Sequence, residues 1–376
     1  MATPAHAFTT FKRWLTALWP FVRSTISGRR GRSRRDLEAR TRIRSPSGID
    51  ELNAIDLGGV RQWIRIRGED RANPLLLFLH GGPGFSWLPN YRRYQLPWEQ
   101  HFTVVHWEQR GSGKSYVGRR LHGTLTTERL VGDACELIAS LCERFGQSRL
   151  ILLGHSWGSY LGLRVAERCP ERLNAYVGMG QVVDMLEGAR ICHRFAVESA
   201  EAARNETALR ELASLEPFPD DIRGIARKQP VWRKWTRFYL AERYGFDAPD
   251  RQGRANLMDT PEYSLWDVYR YLKGTLVSQN TLTNEAYFRP SPLPERLDVP
   301  VFVLQGRFDL ITPWRLARDY VTEIEAPRKA FVTFEHSGHN PNETESEAFL
   351  QYLVDEVKPD SPATAVGYSA RSQESR

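Results

Sequence analysis

Ser156 is the residue of this sequence that is best placed to act as a nucleophile. It lies at the centre of a Gly-x-Ser-x-Gly motif, residues 154–158, which follows the apolar run Leu150–Leu153 and precedes a helical pattern that ends at Cys169-Pro170. A strand, this motif and a helix, in that order, are typical of a nucleophile elbow, a tight turn that exposes the serine hydroxyl above a sheet. The pattern therefore predicts acyl transfer through Ser156.

A serine hydroxyl needs a general base, and the base needs an acid that orients it. In proteins that carry such an elbow, the acid follows the serine along the chain and the histidine comes last. Asp309 comes just after the apolar run Val301–Leu304, and His339 follows the last apolar run. His336 is the competing base, but His339 is preferred because it follows Gly338 and precedes the final helical pattern. We therefore expect a triad of Ser156, His339 and Asp309.

Acyl transfer also builds negative charge on a carbonyl oxygen, and backbone N–H groups are expected to stabilise that charge. One donor is expected directly after the nucleophile, at Trp157. The other is expected in the glycine-rich loop His80–Gly84, which follows the apolar run Leu75–Leu79. Glycine lets the backbone approach a substrate closely, and we expect Gly82 to supply the second N–H.

Several motifs together carry a resemblance to a known family. They are His80–Gly84, Trp107–Ser115, Gly154–Ser159, Gly306–Asp309 and Ser337–His339. With these motifs the chain resembles the α/β-hydrolase superfamily over residues 50–357, and more narrowly the proline iminopeptidase family of serine peptidases. The resemblance implies the same triad and the same oxyanion donors. It also implies hydrolysis through an acyl-enzyme, which releases an N-terminal residue such as proline from short peptides or amides.

Substrate recognition is where the sequence departs from that family. Iminopeptidases bind the free amino group of the substrate with carboxylates of a helical cap, typically in a Trp-Glu context, and the nearest equivalent here is Trp266-Asp267. The chain also has Glu108 where the family commonly has Asp, and His155 where it often has Gly. The candidate amine ligands are Glu187, Glu242 and Asp267. A carboxylesterase or lactonase acting on small esters is the alternative function, and a non-catalytic binding module is the alternative from another class.

These residues need a scaffold that brings distant parts of the chain to one edge. Short apolar runs bounded by Gly, Pro or charged residues are typical of buried parallel strands. They are Leu75–Leu79, Thr103–Trp107, Leu150–Leu153, Ala175–Met179, Val301–Leu304 and Ala330–Phe334, preceded by an alternating strand at Ile64 and Ile66. Helical patterns lie between some of them, one beginning at Thr126 or Thr127 and ending at Gly146. The alternation predicts an α/β fold, the α/β-hydrolase fold, with a mostly parallel central sheet flanked by helices.

Residues 181–295 interrupt the alternation. Their pattern predicts helices, with breaks near Pro217, Pro219 and Pro230. The predicted helices are Met185–Glu201, Glu206–Leu215, Trp232–Tyr244 and Tyr263–Leu272. We therefore expect a helical cap over residues 181–295, inserted into a core formed by residues 49–180 and 296–358. Residues 359–376 have the composition of a disordered tail.

The basic character of the chain is confined to its N-terminus. Residues 1–44 contain eleven Lys or Arg and two acidic residues, while the whole chain carries +7, so the remainder is close to neutral. A nucleic-acid partner is therefore not expected. Residues 1–48 are predicted to form a basic arm, which is either flexible or a helix packed on the body. A weak membrane-surface contact is the alternative, because apolar residues recur there at helical spacing: Phe8, Phe11, Leu15, Leu18 and Val22.

Composition excludes several other classes of protein. No run of 18 apolar residues is present, so a conventional transmembrane helix is not predicted. The four cysteines show neither CxxC pairing nor zinc spacing, which argues against a disulfide scaffold and favours a cytoplasmic location. No motif for a metal or a nucleotide is found, so no cofactor is expected. The expected partner is a small-molecule or short-peptide substrate.

Overall fold

A computed structural model describes residues 28–121, 123–219, 222–245, 256–288 and 292–359. One eight-stranded sheet forms its centre. The strands are β1 Ile49–Leu57, β2 Val60–Gly68, β3 Leu75–Leu79, β4 Thr103–Glu108, β5 Leu150–His155, β6 Leu173–Met179, β7 Val301–Gly306 and β8 Lys329–Phe334. Each apolar run identified in the sequence forms part of one of these strands.

The sheet is mixed at one edge and parallel elsewhere. Its strand order is β1-β2-β4-β3-β5-β6-β7-β8, with β2 antiparallel to both β1 and β4, and with every pairing from β4 to β8 parallel. The predicted α/β-hydrolase fold with its mostly parallel sheet is confirmed. Because the carboxyl ends of β3, β5 and β7 lie at one edge, this order brings the loops that follow them together.

Helices cover both faces of the sheet, and four of them lie within the residues predicted to form the cap. They are α1 Arg29–Arg40, α2 Tyr91–Tyr94, α3 Thr127–Phe145, α4 Trp157–Arg168, α5 Met185–Ala202, α6 Glu206–Ala213, α7 Ile222–Tyr244, α8 Leu265–Phe288, α9 Trp314–Glu323, α10 Pro341–Thr344 and α11 Ser346–Tyr352. Short 3₁₀ turns lie at Leu96–Gln100, Gly113–Ser115, Gly118–Leu121 and Pro170–Arg172, and a π turn at Leu353–Val357 follows α11. None of the helices in the described ranges is long and apolar enough to cross a membrane.

Successive residues of the central strands alternate between two hydrophobic layers. On one face Leu77 packs in a buried cluster with α3, α4 and α9. On the other face Phe78 packs with residues of the segment 87–102 and of α11, where the Trp98 and Phe349 rings stack 5.6 Å apart. Helix α3 has the ends that the sequence predicts, since the Thr126 hydroxyl accepts from Arg129 N at 3.1 Å and Gly146 closes it in the left-handed conformation.

Helices α5 to α8 lie within the predicted cap range, and they differ from the expected helices in length. Pro230 was expected to separate two elements, but it lies inside α7, which begins at Ile222. Three aromatic residues of that helix, Trp232, Trp235 and Tyr239, are buried in a hydrophobic cluster with α5 and α6. This packing outweighs the loss of one helical hydrogen bond at the proline.

The described part of the N-terminal region is a packed helix and not a flexible arm, and so corresponds to the second of the two expected states. Residues 1–27, including the apolar positions of the predicted membrane contact, lie outside the described residues, as do residues 360–376. Residues 29–40 form α1, and Arg30 donates to the carbonyl oxygens of Met258 (2.7 Å) and Tyr263 (2.9 Å). Thr41 O accepts from Arg67 at 2.5 Å. Residues 28–48 therefore pack on the body, because their polar groups bond to the cap and to β2.

Candidate active site

Ser156 lies between β5 and α4 in a conformation that L-residues rarely adopt, with φ 54° and ψ −120°. A Cβ on Gly154 would lie 2.3 Å from Gly158 O, and a Cβ on Gly158 would lie 2.1 Å from Leu79 O. Both positions therefore require glycine. Strain of this kind costs on the order of 1–3 kcal/mol and persists where the surrounding structure enforces it. The geometry has the form of the nucleophile elbow that the motif predicts.

Hydrogen bonds hold the elbow in this conformation. Ser156 N donates to Met179 O at the end of β6 (2.9 Å), so the turn is attached to the neighbouring strand. The Ser159 hydroxyl donates to Ser156 O (2.6 Å) and accepts from Val182 N (2.9 Å). The elbow is thereby fixed both to β6 and to the segment that leads into the cap.

Asp309 and His339 meet at the same edge of the sheet. His339 Nδ1 lies 2.8 Å from Asp309 Oδ2, across thirty residues of sequence. Because Nδ1 faces a carboxylate, it carries the ring proton and leaves Nε2 as an acceptor. His336 is exposed, and its backbone N–H donates to Glu345. The geometry thus gives His339, rather than His336, the orientation that a general base needs.

Asp309 is buried and accepts several further hydrogen bonds. Its Oδ1 accepts from Ile311 N and Thr312 N, and its Oδ2 accepts from Gln305 Nε2 and Thr312 Oγ1, all at 2.8–2.9 Å. Burial alone would raise the pKa of Asp309, but the charge of His339 and these donors outweigh burial and hold that pKa below its ordinary value. The carboxylate is therefore ionised and fixed, as an orienting acid must be.

His155 precedes the nucleophile, and the sequence shows it only as a departure from the family, which often has Gly at this position. Its ring is buried 4.9 Å from the ring of His339 and 5.5 Å from that of Trp87, and its Nε2 lies 3.3 Å from His339 O. Burial, together with the charge of His339, lowers the pKa of His155 to about 3. His155 therefore supports His339 as a neutral ring. Its contacts span 184 residues, so no local pattern could reveal them.

The glycine-rich loop lies against the nucleophile. A Cβ on Gly81 would be 3.0 Å from Ser156 Cβ, and Phe85 N closes the loop by donating to Gly81 O. Gly82 has a φ of 121°, and a Cβ there would lie 2.7 Å from two backbone nitrogens. Trp157 begins α4 directly after Ser156. The two predicted oxyanion donors therefore come from the two segments that flank Ser156.

The three candidate amine ligands lie in different surroundings. Asp267 accepts from Lys114 Nζ (2.9 Å) and from Ser264, so its carboxylate is already neutralised within the protein. Burial opposes this ionisation, but Lys114 and Ser264 outweigh burial, and the pKa of Asp267 is lowered. Glu187, on the first turn of α5, pairs with two arginines of that helix at 3.4–3.5 Å. Glu242 is exposed near the end of α7.

Two of these carboxylates belong to helices that pack on the Asp309 loop. Gly188, next to Glu187, faces Pro313, because a Cβ on it would lie 3.2 Å from the proline ring. Tyr244, two residues after Glu242, stacks on Phe308 with ring centroids 4.1 Å apart. The helices that carry Glu187 and Glu242 thus contact the loop that holds Asp309, whereas Asp267 itself contacts Lys114 of the core.

The family model described as "Alpha/beta hydrolase family" matches residues 76–352. That range includes every residue of the candidate triad and both predicted oxyanion donors. No group of three or more His, Cys, Asp or Glu that could hold a metal ion occurs among the described residues.

Several known proteins similar to this chain are named as peptidases. The chain is 33% identical over 317 residues to the "Probable aminopeptidase YbaC" of Bacillus subtilis, covering 83% of this chain and 97% of that relative. It is 26% identical over 297 residues to a "Proline iminopeptidase" of Neisseria meningitidis, with coverage of 72% and 89%. The crystal structure of a proline iminopeptidase from Mycobacterium smegmatis shares the fold, with a TM-score of 0.56 at 20% identity, over 81% of this chain and 96% of that one. The chain belongs to the alpha/beta hydrolase family and is a hydrolase similar to proline iminopeptidases.

Proposed function

We propose that this chain is a serine aminopeptidase, which releases an N-terminal residue such as proline from short peptides or amides through an acyl-enzyme. The observation that carries the proposal is the 2.8 Å hydrogen bond between Asp309 and His339 at the same sheet edge as the strained elbow of Ser156. The backbone strain at Ser156 is accounted for if Ser156 is the nucleophile, because the strained turn exposes its hydroxyl. The names of the relatives support the peptidase class.

In the acylation step, Ser156 Oγ attacks the carbonyl carbon of the scissile amide, and His339 Nε2 takes the hydroxyl proton. Asp309 holds His339 in the required tautomer and stabilises the imidazolium that forms. The N–H groups of Gly82 and Trp157 bind the developing oxyanion. His339 then gives its proton to the leaving nitrogen, the C–N bond breaks, and the N-terminal residue remains as an ester on Ser156.

In the deacylation step, water occupies the position that the leaving amine vacated. His339 removes a proton from this water, and the hydroxide attacks the ester carbonyl within the same oxyanion hole. Ser156 leaves with the proton returned by His339. The free amino acid is released, and the protein returns to its starting state.

An aminopeptidase must also recognise the free amino group of its substrate. Glu187 and Glu242 are the candidates for this role, because their helices pack on the loop that holds Asp309. Asp267 is less suited, because its buried carboxylate accepts from Lys114 at 2.9 Å and from Ser264, whereas the two arginines that pair with Glu187 lie 3.4–3.5 Å away and are partly exposed. A substrate whose amine is blocked has no ammonium group to pair with either carboxylate, so it should be disfavoured.

The experiment compares three substrates at equal concentration: prolyl-2-naphthylamide, its N-acetylated form and p-nitrophenyl acetate. The proposal predicts cleavage of the free prolyl amide and loss of cleavage on N-acetylation. Equal rates on the free and blocked amides would contradict amine recognition. Turnover of the ester alone would support the esterase or lactonase alternative, for which the neutralised Asp267 is the structural argument.

A further inference from the structure

The two predicted oxyanion donors belong to separate chain segments, and a third segment joins them. Gly82 follows β3, and Trp157 follows β5, the neighbour of β3 on one side. Gln109 follows β4, the neighbour of β3 on the other side. Gln109 is 1% exposed, so its amide is isolated from solvent. A side chain at this point can reach across the end of β3 to both segments.

The amide of Gln109 bonds to each segment. Its Nε2 donates to His80 O at 3.0 Å, at the start of the glycine-rich loop. Its Oε1 accepts from the indole Nε1 of Trp157 at 3.2 Å. Both polar atoms of one buried amide are therefore used, one on each side of the predicted oxyanion hole.

The backbone of Gln109 makes a further contact with the loop. Gln109 N donates to His80 Nε2 at 3.3 Å, so the proton of this imidazole lies on Nδ1, which donates to Gly81 O at 2.9 Å. Burial lowers the pKa of His80 to about 4, so the ring is neutral. The chain of hydrogen bonds thus runs from Gln109 through His80 to the carbonyl of Gly81, the residue before the predicted donor Gly82.

The loop and the elbow are also in direct contact at this point. A Cβ on Gly158 would lie 2.9 Å from His80 O, the same carbonyl oxygen that Gln109 binds. His80 O is therefore held between the first turn of α4 and the amide of Gln109. A displacement of Gln109 would shift the loop relative to the elbow.

We propose that Gln109 is a positioning residue that sets the distance between the two oxyanion donors, by bonding to His80 O on one side and to the Trp157 indole on the other. This inference rests on the proposed function. Oxyanion donors act only within about 2.7–3.1 Å of the developing charge, and loss of one donor costs about 10²–10³-fold in rate. Gln109 touches no reacting atom, so its effect appears in the rate and not in substrate binding.

The test uses a fluorophosphonate probe, because it reports on the oxyanion hole without a known peptide substrate. Ser156 Oγ forms a bond to phosphorus as His339 takes the hydroxyl proton, fluoride leaves, and the phosphoryl oxygen takes the place of the oxyanion. Gln109→Met keeps the length of the side chain and removes both hydrogen bonds. We expect it to slow phosphonylation of Ser156 by about 10²-fold. With a turned-over substrate, kcat should fall by the same factor while KM stays within twofold.

Gln147→Met is the matched control, because Gln147 is a buried glutamine at the opposite end of β3. Its amide accepts from Leu75 N (3.1 Å) and donates to Asn73 O (2.9 Å), away from the site. Gln147→Met should lower the free energy of unfolding as much as Gln109→Met does. The rate at which Ser156 is labelled should remain within twofold of the wild-type rate. Trp157→Phe is the second variant, since it removes one of the two hydrogen bonds and keeps the backbone donor. Trp157→Phe should also slow the labelling of Ser156, but by a smaller factor than Gln109→Met.

Labelling of folded Gln109→Met at the wild-type rate would overturn the proposal, as would equal slowing in Gln147→Met. If Gln109→Met does not fold, an unchanged rate in Trp157→Phe overturns it. Failure of the serine mechanism within the proposed function has a different signature, because the wild-type chain would then not be labelled at Ser156 at all. That result would overturn the proposed function and this inference together. An esterase in place of an aminopeptidase would still be labelled at Ser156 and would leave this inference intact.

Discussion

At the scale of single residues, the sequence predicted the candidate triad because each member follows a strand and local patterns reveal strands. Ser156, Asp309 and His339 could be identified from motif, order and flanking glycine alone. The pairing of Asp267 with Lys114 could not be predicted, since it joins residues 153 positions apart that no local pattern relates. The same holds for Gln109, which the sequence showed only as part of a motif. Positions along the chain were predictable, as was the pairing of Asp309 with His339 that the motif order implies. The other contacts between distant side chains were not.

Asp309→Asn should lower kcat by about 10⁴-fold with little change in fold, the order of loss seen when the acid of a Ser-His-Asp triad is amidated. His339 Nδ1–H and Gln305 Nε2 both donate to the carboxylate, and the substituted side chain would place an N–H donor opposite them in place of an acceptor oxygen. His339 would then lose the required tautomer. Steady-state kinetics and circular dichroism of the variant measure both effects. A kcat within tenfold of wild type would contradict the assignment of Asp309.

Gly158→Ala should destabilise the protein by several kcal/mol and abolish labelling of Ser156. The new methyl group would lie 2.1 Å from Leu79 O, a backbone atom that cannot move aside. Gly132→Ala in α3 is the control, because there the new methyl group meets only the end of the Arg129 side chain. This control should gain about 0.5–1 kcal/mol from helix propensity. Urea unfolding measures both, and a Gly158→Ala variant as stable as wild type would contradict the crowding of the elbow.

At the scale of elements, the strands were predicted better than the cap helices. Buried parallel strands show as continuous apolar runs whatever packs on them. Helix α7, by contrast, continues through Pro230 because its aromatic residues pack into the cap cluster, and this packing depends on residues far away in sequence. The bounds and the docking site of helix α1 could not be predicted for the same reason, since its docking depends on carbonyl groups at residues 258–263.

Glu262→Gln should destabilise the contact between cap and core by about 3–5 kcal/mol, because it removes the carboxylate that pairs with the buried Arg92 guanidinium. Glu262 accepts from Arg92 (2.7 Å) and Tyr91 (2.6 Å) and lies 3.6 Å from Arg65. Burial would raise its pKa, but Arg92 and Arg65 outweigh burial and lower it to about 2.

Urea unfolding of Glu262→Gln measures this loss. The control is Glu128→Gln, which breaks a largely exposed pair with Arg168, and such surface substitutions usually change stability by no more than about 0.5 kcal/mol. Equal stability of the two variants would contradict the claim that the Glu262 pair joins the cap to the core.

At the scale of the whole molecule, buried titratable groups decide how stability depends on pH. Burial lowers the pKa of three histidines, to about 4 for His80 and about 3 for His106 and His155. Burial raises the pKa of Glu108 and Glu343 to about 7. The histidines stabilise the folded state above their unfolded pKa of about 6.5, and that stability is lost as the pH falls towards 3–4. The two glutamates act in the opposite direction between about pH 7 and pH 4.3, where the folded state binds protons that the unfolded state does not.

The free energy of unfolding should therefore change little between pH 7 and about pH 4.5, and should fall steeply below that pH. Urea titrations at intervals of half a pH unit measure this profile. His106→Phe removes one of these histidines, so its free energy of unfolding should fall less steeply with pH in the acid range. A free energy of unfolding that remains constant down to pH 3 would contradict this explanation. An equally steep fall in His106→Phe and in wild type would contradict it as well.

The identity of the nucleophile is the central claim, and it is tested most directly by locating the covalent adduct. Intact mass spectrometry of the wild-type chain after fluorophosphonate treatment, followed by peptide mapping, should show a single adduct on Ser156. Ser156→Ala should be unlabelled and should lose turnover while it unfolds at the wild-type urea concentration. An adduct on another residue, or labelling that persists in Ser156→Ala, would contradict the serine hydrolase mechanism.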